Sequence, residues 1–358
     1  MLYKYPDYYD KFSCVADRCE DTCCAGWQIL IDDESLEKYE KEHKDDERID
    51  WENEVFHHCD GRRCAFLNKD NLCDMYTQWG EDSLCVTCDR YPRHIEEFEN
   101  VREYTLSLSC PEVAKIILGL KEKVSFIEKE DDEEEVDEEF DVLMFSILED
   151  VRTLLYNILQ TRIIPIKYRV ALIVNISKKC QQYIDEGDIF SINDVIADYE
   201  DNISKKIKEL ENLHIDNYEQ TLTRFKRLYE LEILNDLWES MTDEAAQLIY
   251  GEGGEKCNVW HKEFESWLYD NFSEHEIMWE QILIYFISTY FCGAVYDGNV
   301  IGKVETAVTS IVCIYEMLMA RWIKNDRALS FEDIVFVTYM YSRELEHSDI
   351  NLDTMEDI

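Results

Sequence analysis

The sequence predicts a mainly α protein: a small cysteine-rich α+β domain over residues 1–127, then an α-helical domain over residues 142–358. Three observations predict it. Ten of the fourteen cysteines lie between Cys14 and Cys110, among short segments broken by turn residues. Residues 128–141 carry eleven acids in fourteen positions, a density that repels itself and stays solvated as a linker. Beyond Phe140 the apolar residues recur at helical spacing, and Pro165 is the only proline after Pro111.

Taken in order, the front third alternates short elements with turn signals at Asp60-Gly61, Asn68 to Asn71, Gly80 to Asp82 and Tyr91-Pro92. Trp27 to Asp32 reads as a short strand, followed by a helix that the Ser35 hydroxyl caps. Arg102 to Ser109 alternates as a second strand. Pro111 opens a helix with Val113, Ile116, Ile117 and Leu120 on one face. After the linker, Val142, Phe145, Leu148, Val151, Leu155 and Leu159 begin a run of amphipathic helices. Later ones cover 277–295, 305–323 and 331–344, and together they predict a helical bundle. Gly251-Glu252-Gly253-Gly254 follows no strand and reads as a turn.

The charge balance narrows the partners. Thirty-six basic residues against seventy-nine acidic ones give a formal charge of −43. That excess argues against nucleic acid, whose phosphates need Lys and Arg, and against an anionic membrane surface. It attracts a basic partner, such as a protein displaying lysines. The N-terminus has no apolar run of the signal-peptide kind, and the uncharged stretch Gln281 to Tyr296 is too short to span a bilayer. The expected compartment is therefore the reducing cytoplasm. Disulfides do not persist there, so the thiols are expected to be free and to bind metal.

The cysteines form four groups: Cys14-x4-Cys19-x3-Cys23-Cys24, then Cys64 with Cys73, then Cys85-x2-Cys88, then Cys110-Pro111. Adjacent cysteines diverge, so Cys23 and Cys24 suit two neighbouring centres, or one ligates while the other packs. An iron–sulfur cubane or tetrahedral zinc fits such a set. Zinc sites usually show two CxxC pairs, and only Cys85 and Cys88 make one, which favours iron–sulfur. The Cys-x3-Cys-x2-Cys loop of radical enzymes that cleave S-adenosylmethionine is not present. Cys180, Cys257, Cys292 and Cys313 read as buried apolar fillers. The histidines, His347 and His261 among them, read as isolated.

Cys14-x4-Cys19-Glu20-Asp21-Thr22-Cys23-Cys24-Ala25-Gly26-Trp27 resembles the signature of the bacterial flagellin lysine N-methylase family. So do Cys64-Ala65-Phe66-Leu67, Leu72-Cys73, Thr87-Cys88-x2-Tyr91-Pro92-Arg93 and Leu106 to Glu112. The resemblance is dense over residues 6–118 and thin beyond, and it extends to the wider group of zinc- or iron-chelating cysteine-cluster proteins. It carries metal ligation onto Cys14, Cys19, Cys23, Cys24, Cys64, Cys73, Cys88 and Cys110, leaving Cys59 and Cys85 outside. It implies methyl transfer from S-adenosylmethionine to lysines of flagellin, with a cysteine-ligated iron–sulfur cluster, of the 4Fe-4S type, in the active region.

No strand–GxGxxG–helix unit offers a Rossmann site for the donor. Lysine attacks only when neutral, so a proton acceptor is needed. Tyr91 and Glu112 are the candidate catalytic residues, ahead of Asp21, Glu81 and Glu103. Arg93 and Arg102 are read as partners of neighbouring acids. The rival readings are a non-catalytic zinc- or iron–sulfur-binding carrier and a zinc-stabilised interaction module.

Overall fold

The computed structural model describes residues 1–59, 62–132, 140–210 and 218–357. Asp60-Gly61 and positions 133–139 of the expected acidic linker lie outside the described residues.

The elements run β1 (Leu2–Pro6), α1 (Asp33–Glu42), β2 (Ile49–Asp50), β3 (Val55–Phe56), β4 (His58–Cys59), β5 (Arg63–Cys64), α2 (Asp74–Trp79) and α3 (Val86–Arg90). Next come β6 (Arg93–Phe98), β7 (Val101–Leu106), α4 (Pro111–Gly119) and β8 (Phe126–Glu130). The helical part follows as α5 (Val142–Leu159), α6 (Ile166–Asp185), α7 (Ile192–Leu210), α8 (Tyr218–Lys226), α9 (Asp236–Tyr250) and α10 (Gly254–Asn271). It ends with α11 (His275–Tyr290), α12 (Ala294–Asp297), α13 (Val300–Lys324), α14 (Phe331–Glu346) and α15 (Asp349–Glu356). The fold is thus mainly helical, with a cysteine-rich α+β front, as the sequence predicts.

One sheet has the order β6-β7-β1-β8, with β1 parallel to β7 and the other pairs antiparallel. Its last strand takes in Glu128 and Glu130, so pairing with β1 continues into the acidic stretch. Residues Trp27 to Asp32 depart from expectation. They form a single bridge, Leu30 to Val55, instead of a strand. Asp32, not Ser35, caps α1: its carboxylate accepts from Ser35 N at 3.0 Å and from Val86 N at 2.8 Å. The cap pulls the chain into the helix before a ladder can extend.

Two apolar cores result. The large one joins Tyr8, Phe98, Leu106, Val113 and Ile117 of the front region to α5, α6, α11, α13 and α14. α13 is long and apolar enough to cross a membrane by composition, yet 72% of its most apolar window is buried in this core. Ion pairs inside it are satisfied in kind, as buried charges must be. Glu280 of α11 binds Arg169 at 2.7 Å and Arg162 at 2.9 Å. The small core gathers Ile29, Ile31, Tyr39, Ile49, Phe56, Phe66 and Met75 around buried Cys64 and Cys85.

Candidate functional site

All fourteen cysteines are free thiols. The ten in the front region fall into two groups with Cys23 and Cys24 at their junction, leaving Cys59 exposed to one side. Cys24, Cys64, Cys73, Cys85 and Cys88 all pack on the small core. The backbone ties them together: Cys64 N donates to Cys24 O at 2.8 Å, and Cys73 bridges to Leu67. Cys64 feels the charges of Cys24, Cys73 and Cys85, and Cys88 those of Cys85, Cys24 and Cys64. Cys110 instead belongs to the large core. It feels the charge of Cys19, and Cys19 that of Cys14, while Cys23 is joined first to Cys24 by a side-chain hydrogen bond and then feels Cys110 and Cys14.

Local structure aims this chemistry. Cys73, Cys85 and Cys110 are the N-cap residues of α2, α3 and α4. The positive first-turn N–H ends of these helices favour thiolate at the three sulfurs, without a capping hydrogen bond to any of them. Burial outweighs this at Cys73 and at Cys110, pushed up to about 11, and raises Cys64 to about 12, whereas the Cys88 side chain, hydrogen-bonded to Cys85, holds Cys85 down. Ligation would reverse that balance, because a metal takes the thiolate form. Gly26, at φ +95°, turns the chain between the thiol pair and Trp27, whose indole N donates to Cys23 O at 2.8 Å. The eight thiols named by the family resemblance therefore fit a soft-metal or cluster centre in donor type and grouping.

The far end of α14 closes the site, and the sequence reading missed it. Arg343 donates to Ser109 O at 3.0 Å and Asp21 O at 2.8 Å, and pairs with the Asp21 carboxylate at 2.7 Å. His347, read from sequence as isolated, stacks on Trp27 with ring centroids 4.3 Å apart. Its Nε2 lies 2.9 Å from Ser109 Oγ, which is 3.0 Å from the Tyr91 hydroxyl. Burial, then the charge of Arg343, pushes His347 down to about 3, so its ring is neutral. The only sequence signal for these residues is their polarity on a buried helix face.

Two openings flank this wall. One cleft of about 450 Å³ is lined by Cys19, Asp21, Gly26, Arg62, Asn235 and Arg343, among others. The other, about 260 Å³, is lined by Trp27, Tyr91, His94, Ser107, Glu346 and His347, among others. Ser107, His94 and Glu346 also line a neighbouring acidic hollow of about 300 Å³ with Glu96 and Asp349. Burial raises the Tyr91 phenol well above its usual range. Glu112 lies in the first turn of α4, its carboxylate 2.9 Å from Lys115. Glu103 is committed to Arg152 in the large core, and Arg102 reaches Glu97 at 3.4 Å. Arg93 lies over the Phe12 ring. Cys180, Cys257, Cys292 and Cys313 are buried as expected, but Cys257 and His261 are not isolated: the Cys257 sulfur is 3.4 Å from His261, which binds Glu316 at 2.6 Å.

A family model described as the FliB lysine N-methylase C-terminal domain matches residues 152–358, the part where the sequence resemblance is thin. The chain is 28% identical over 137 residues to a Lysine-N-methylase of Salmonella typhimurium and to one of Salmonella choleraesuis. Those alignments cover 35% of this chain and 34% of each relative. A Flagellar biosynthetic protein FliU of Salmonella muenchen is also 28% identical over 137 residues, 81% of its own length. The chain thus aligns with about a third of the length of the first two relatives. No solved structure matches. With more than half its length matched by that family model, the chain belongs to the FliB lysine N-methylase family.

Proposed function

We propose that the chain is a cytoplasmic protein lysine N-methyltransferase that uses S-adenosylmethionine on a flagellin-type substrate. A cysteine-ligated iron–sulfur cluster of the 4Fe-4S type belongs to its active region. The observation that carries this reading is a pair of clefts beside the thiol-rich turn, one lined by Cys19, Gly26 and Arg343, the other by Trp27, Tyr91, Glu346 and His347. The donor is placed in the first and the lysine in the second; Gly26 and Trp27 line one each, so transfer requires the two to meet at that turn.

Cys14, Cys19, Cys23 and Cys110 would hold the cluster nearest these clefts. A cluster held by all four thiolates would supply electrons rather than an open iron site. The chain's own residues supply placement and proton handling. Glu346 and Glu96 draw an ammonium toward the second opening, and the Trp27 and Tyr91 rings enclose its alkyl stem. The lysine Nζ must lose a proton before it attacks. The Glu346 carboxylate, which lines the same opening and whose pKa burial raises, takes that proton, while Tyr91 Oη, held through Ser109 Oγ to neutral His347 Nε2, orients the Nζ. Glu112 remains the acid on the thiol side, one turn from Cys110. The excess negative charge of the chain speeds encounter with a lysine-rich partner.

The test is anaerobic, iron-loaded protein incubated with S-adenosylmethionine and purified flagellin, with intact mass read for methyl steps. Transfer is expected, and Tyr91→Phe is expected to slow it about 100-fold with iron content unchanged. No added mass on flagellin or other lysine-rich proteins would overturn catalysis and favour a non-catalytic carrier.

A further inference from the structure

We infer that Cys257, His261 and Glu316 form a zinc site in the helical bundle, apart from the thiols of the front region. The site goes beyond the transfer reading and does not depend on it. Cys257 and His261 stand four residues apart on α10, so both project from one face of that helix. Such i, i+4 pairs are a common way for one helix to give a metal two ligands. The fold brings the third from 55 residues on: α13 packs on α10 and aims Glu316 at the ring. A ligand atom from each residue lies within 4.8 Å of the other two.

Hydrogen bonds hold these groups from behind. His261 Nδ1 donates to Cys257 O, one turn back, at 3.0 Å, which turns Nε2 toward Glu316. Glu316 Oε1 lies 2.6 Å from that Nε2. The Tyr250 hydroxyl, at the end of α9, donates to the other carboxylate oxygen at 2.8 Å and leaves Oε1 facing the ring. Cys257 Sγ is 3.4 Å from the imidazole. Partners of this outer kind fix the tautomer and the orientation of metal ligands.

An ion pair of His261 and Glu316 alone would leave the buried sulfur without a task. Cys257 is fully buried and Glu316 is 1% exposed. A divalent ion uses all three groups, and thiolate and carboxylate offset its two charges, so the buried site stays neutral. Thiolate, imidazole and carboxylate together suit zinc, whereas magnesium and calcium take oxygen donors. The His261 ring is open to solvent on one side, and water from there takes the fourth tetrahedral position. Binding sends the thiol proton and the one shared by His261 and Glu316 to solvent. Along its 18 residues α10 buries Cys257, Phe264 and Leu268, whereas α13 is sunk in the core. The ion would therefore clamp the looser helix to the firmer one.

The experiment loads the reduced, metal-stripped full chain with cadmium enriched in its NMR-active isotope, a zinc substitute whose chemical shift reports its donor atoms. One resonance from a single-thiolate site is expected, well upfield of any from the cysteine-rich region. It should vanish in His261→Gln and in Glu316→Gln while the thiolate-rich resonances stay. A native chain without that resonance would overturn the inference, and so would a resonance that survives in both variants. The native spectrum decides the matter even where a variant fails to fold. Hydrogen exchange with zinc itself supplies a second measurement. Zinc at about 100 times its Kd should slow the α10 amides about 100-fold, and Cys257→Ser should lose that protection. Equal slowing in the native chain and in Cys257→Ser would assign the zinc to other ligands and overturn the site.

Discussion

The two cores of this molecule are stabilised by different means. The large core buries side chains from Tyr8 to Met355, with α11 and α13 sunk at its centre. Its order follows from apolar area, at about 25 cal/mol per Å² removed from water. The small core has few apolar side chains, two helices, α2 and α3, that begin on cysteines, and cysteines as much of its lining. The comparison teaches that chemistry and stability are combined at the front and separated at the back. The thiols that would bind metal also hold their own scaffold, whereas the helical bundle stands without them and reaches over, through Arg343 and His347, to close the site.

The largest way to break this contrast is to remove the metal. Chelation of metal-loaded protein is expected to abolish amide protection across the Cys24–Cys88 stretch while protection in α11, α13 and α14 persists, as read by hydrogen exchange. Parallel loss in both regions would mean that the small core does not depend on metal separately. The converse experiment attacks the bundle. Glu280→Gln leaves Arg169, which is 1% exposed, with only the more distant Glu276 carboxylate at 3.3 Å. It should cost about 3 kcal/mol in chemical denaturation, with iron content unaltered.

How legible each region was in sequence follows the same divide. The bundle announced itself through helical periodicity, because burial of a stripe is a local pattern. The strand over Val101–Leu106 and the helix from Pro111 were legible for the same reason. In the front region the spacing of the cysteines pointed to metal, but not to which sulfurs lie together, since that depends on tertiary packing. The Trp27 to Asp32 strand was misread because Asp32 spends its carboxylate on two backbone donors from separate elements, a choice invisible in local composition. Arg343 and His347 were missed because a polar residue near a helix end looks solvated until its partners, Asp21, Ser109 and Trp27, are known.

A smaller effect sharpens the picture of the bundle. His261 is pushed up to about 10: burial opposes its charge, but hydrogen bonds to Cys257 and Glu316 and the Glu316 carboxylate outweigh it. The folded state therefore holds a proton that the unfolded chain releases near pH 6.5. That contribution is complete below pH 6.5 and falls away as pH rises toward 10. The ring is 27% exposed, so the loss should be about 2 kcal/mol, well under the full linkage value. Urea titrations at pH 6, 8 and 10 should show it, and His261→Gln should flatten the profile. A native slope retained in the variant would mean that another group carries it.

The finest test lies at the cap that joins α1 to α3. Asp32→Ala removes acceptors from Ser35 N and Val86 N together. A single N-cap costs about 1 kcal/mol, and Val86 opens the helix that carries Cys88, so the effect should appear in the small core alone. Asp32→Asn keeps an oxygen for the cap and should recover most of the loss. Exchange at Ser35 and Val86 is expected to quicken in the alanine variant, with α13 unchanged. If α13 exchanged faster too, the two cores would be coupled through the Asp32 turn, and the independence argued from their packing would fail at the place where the chain commits to each helix.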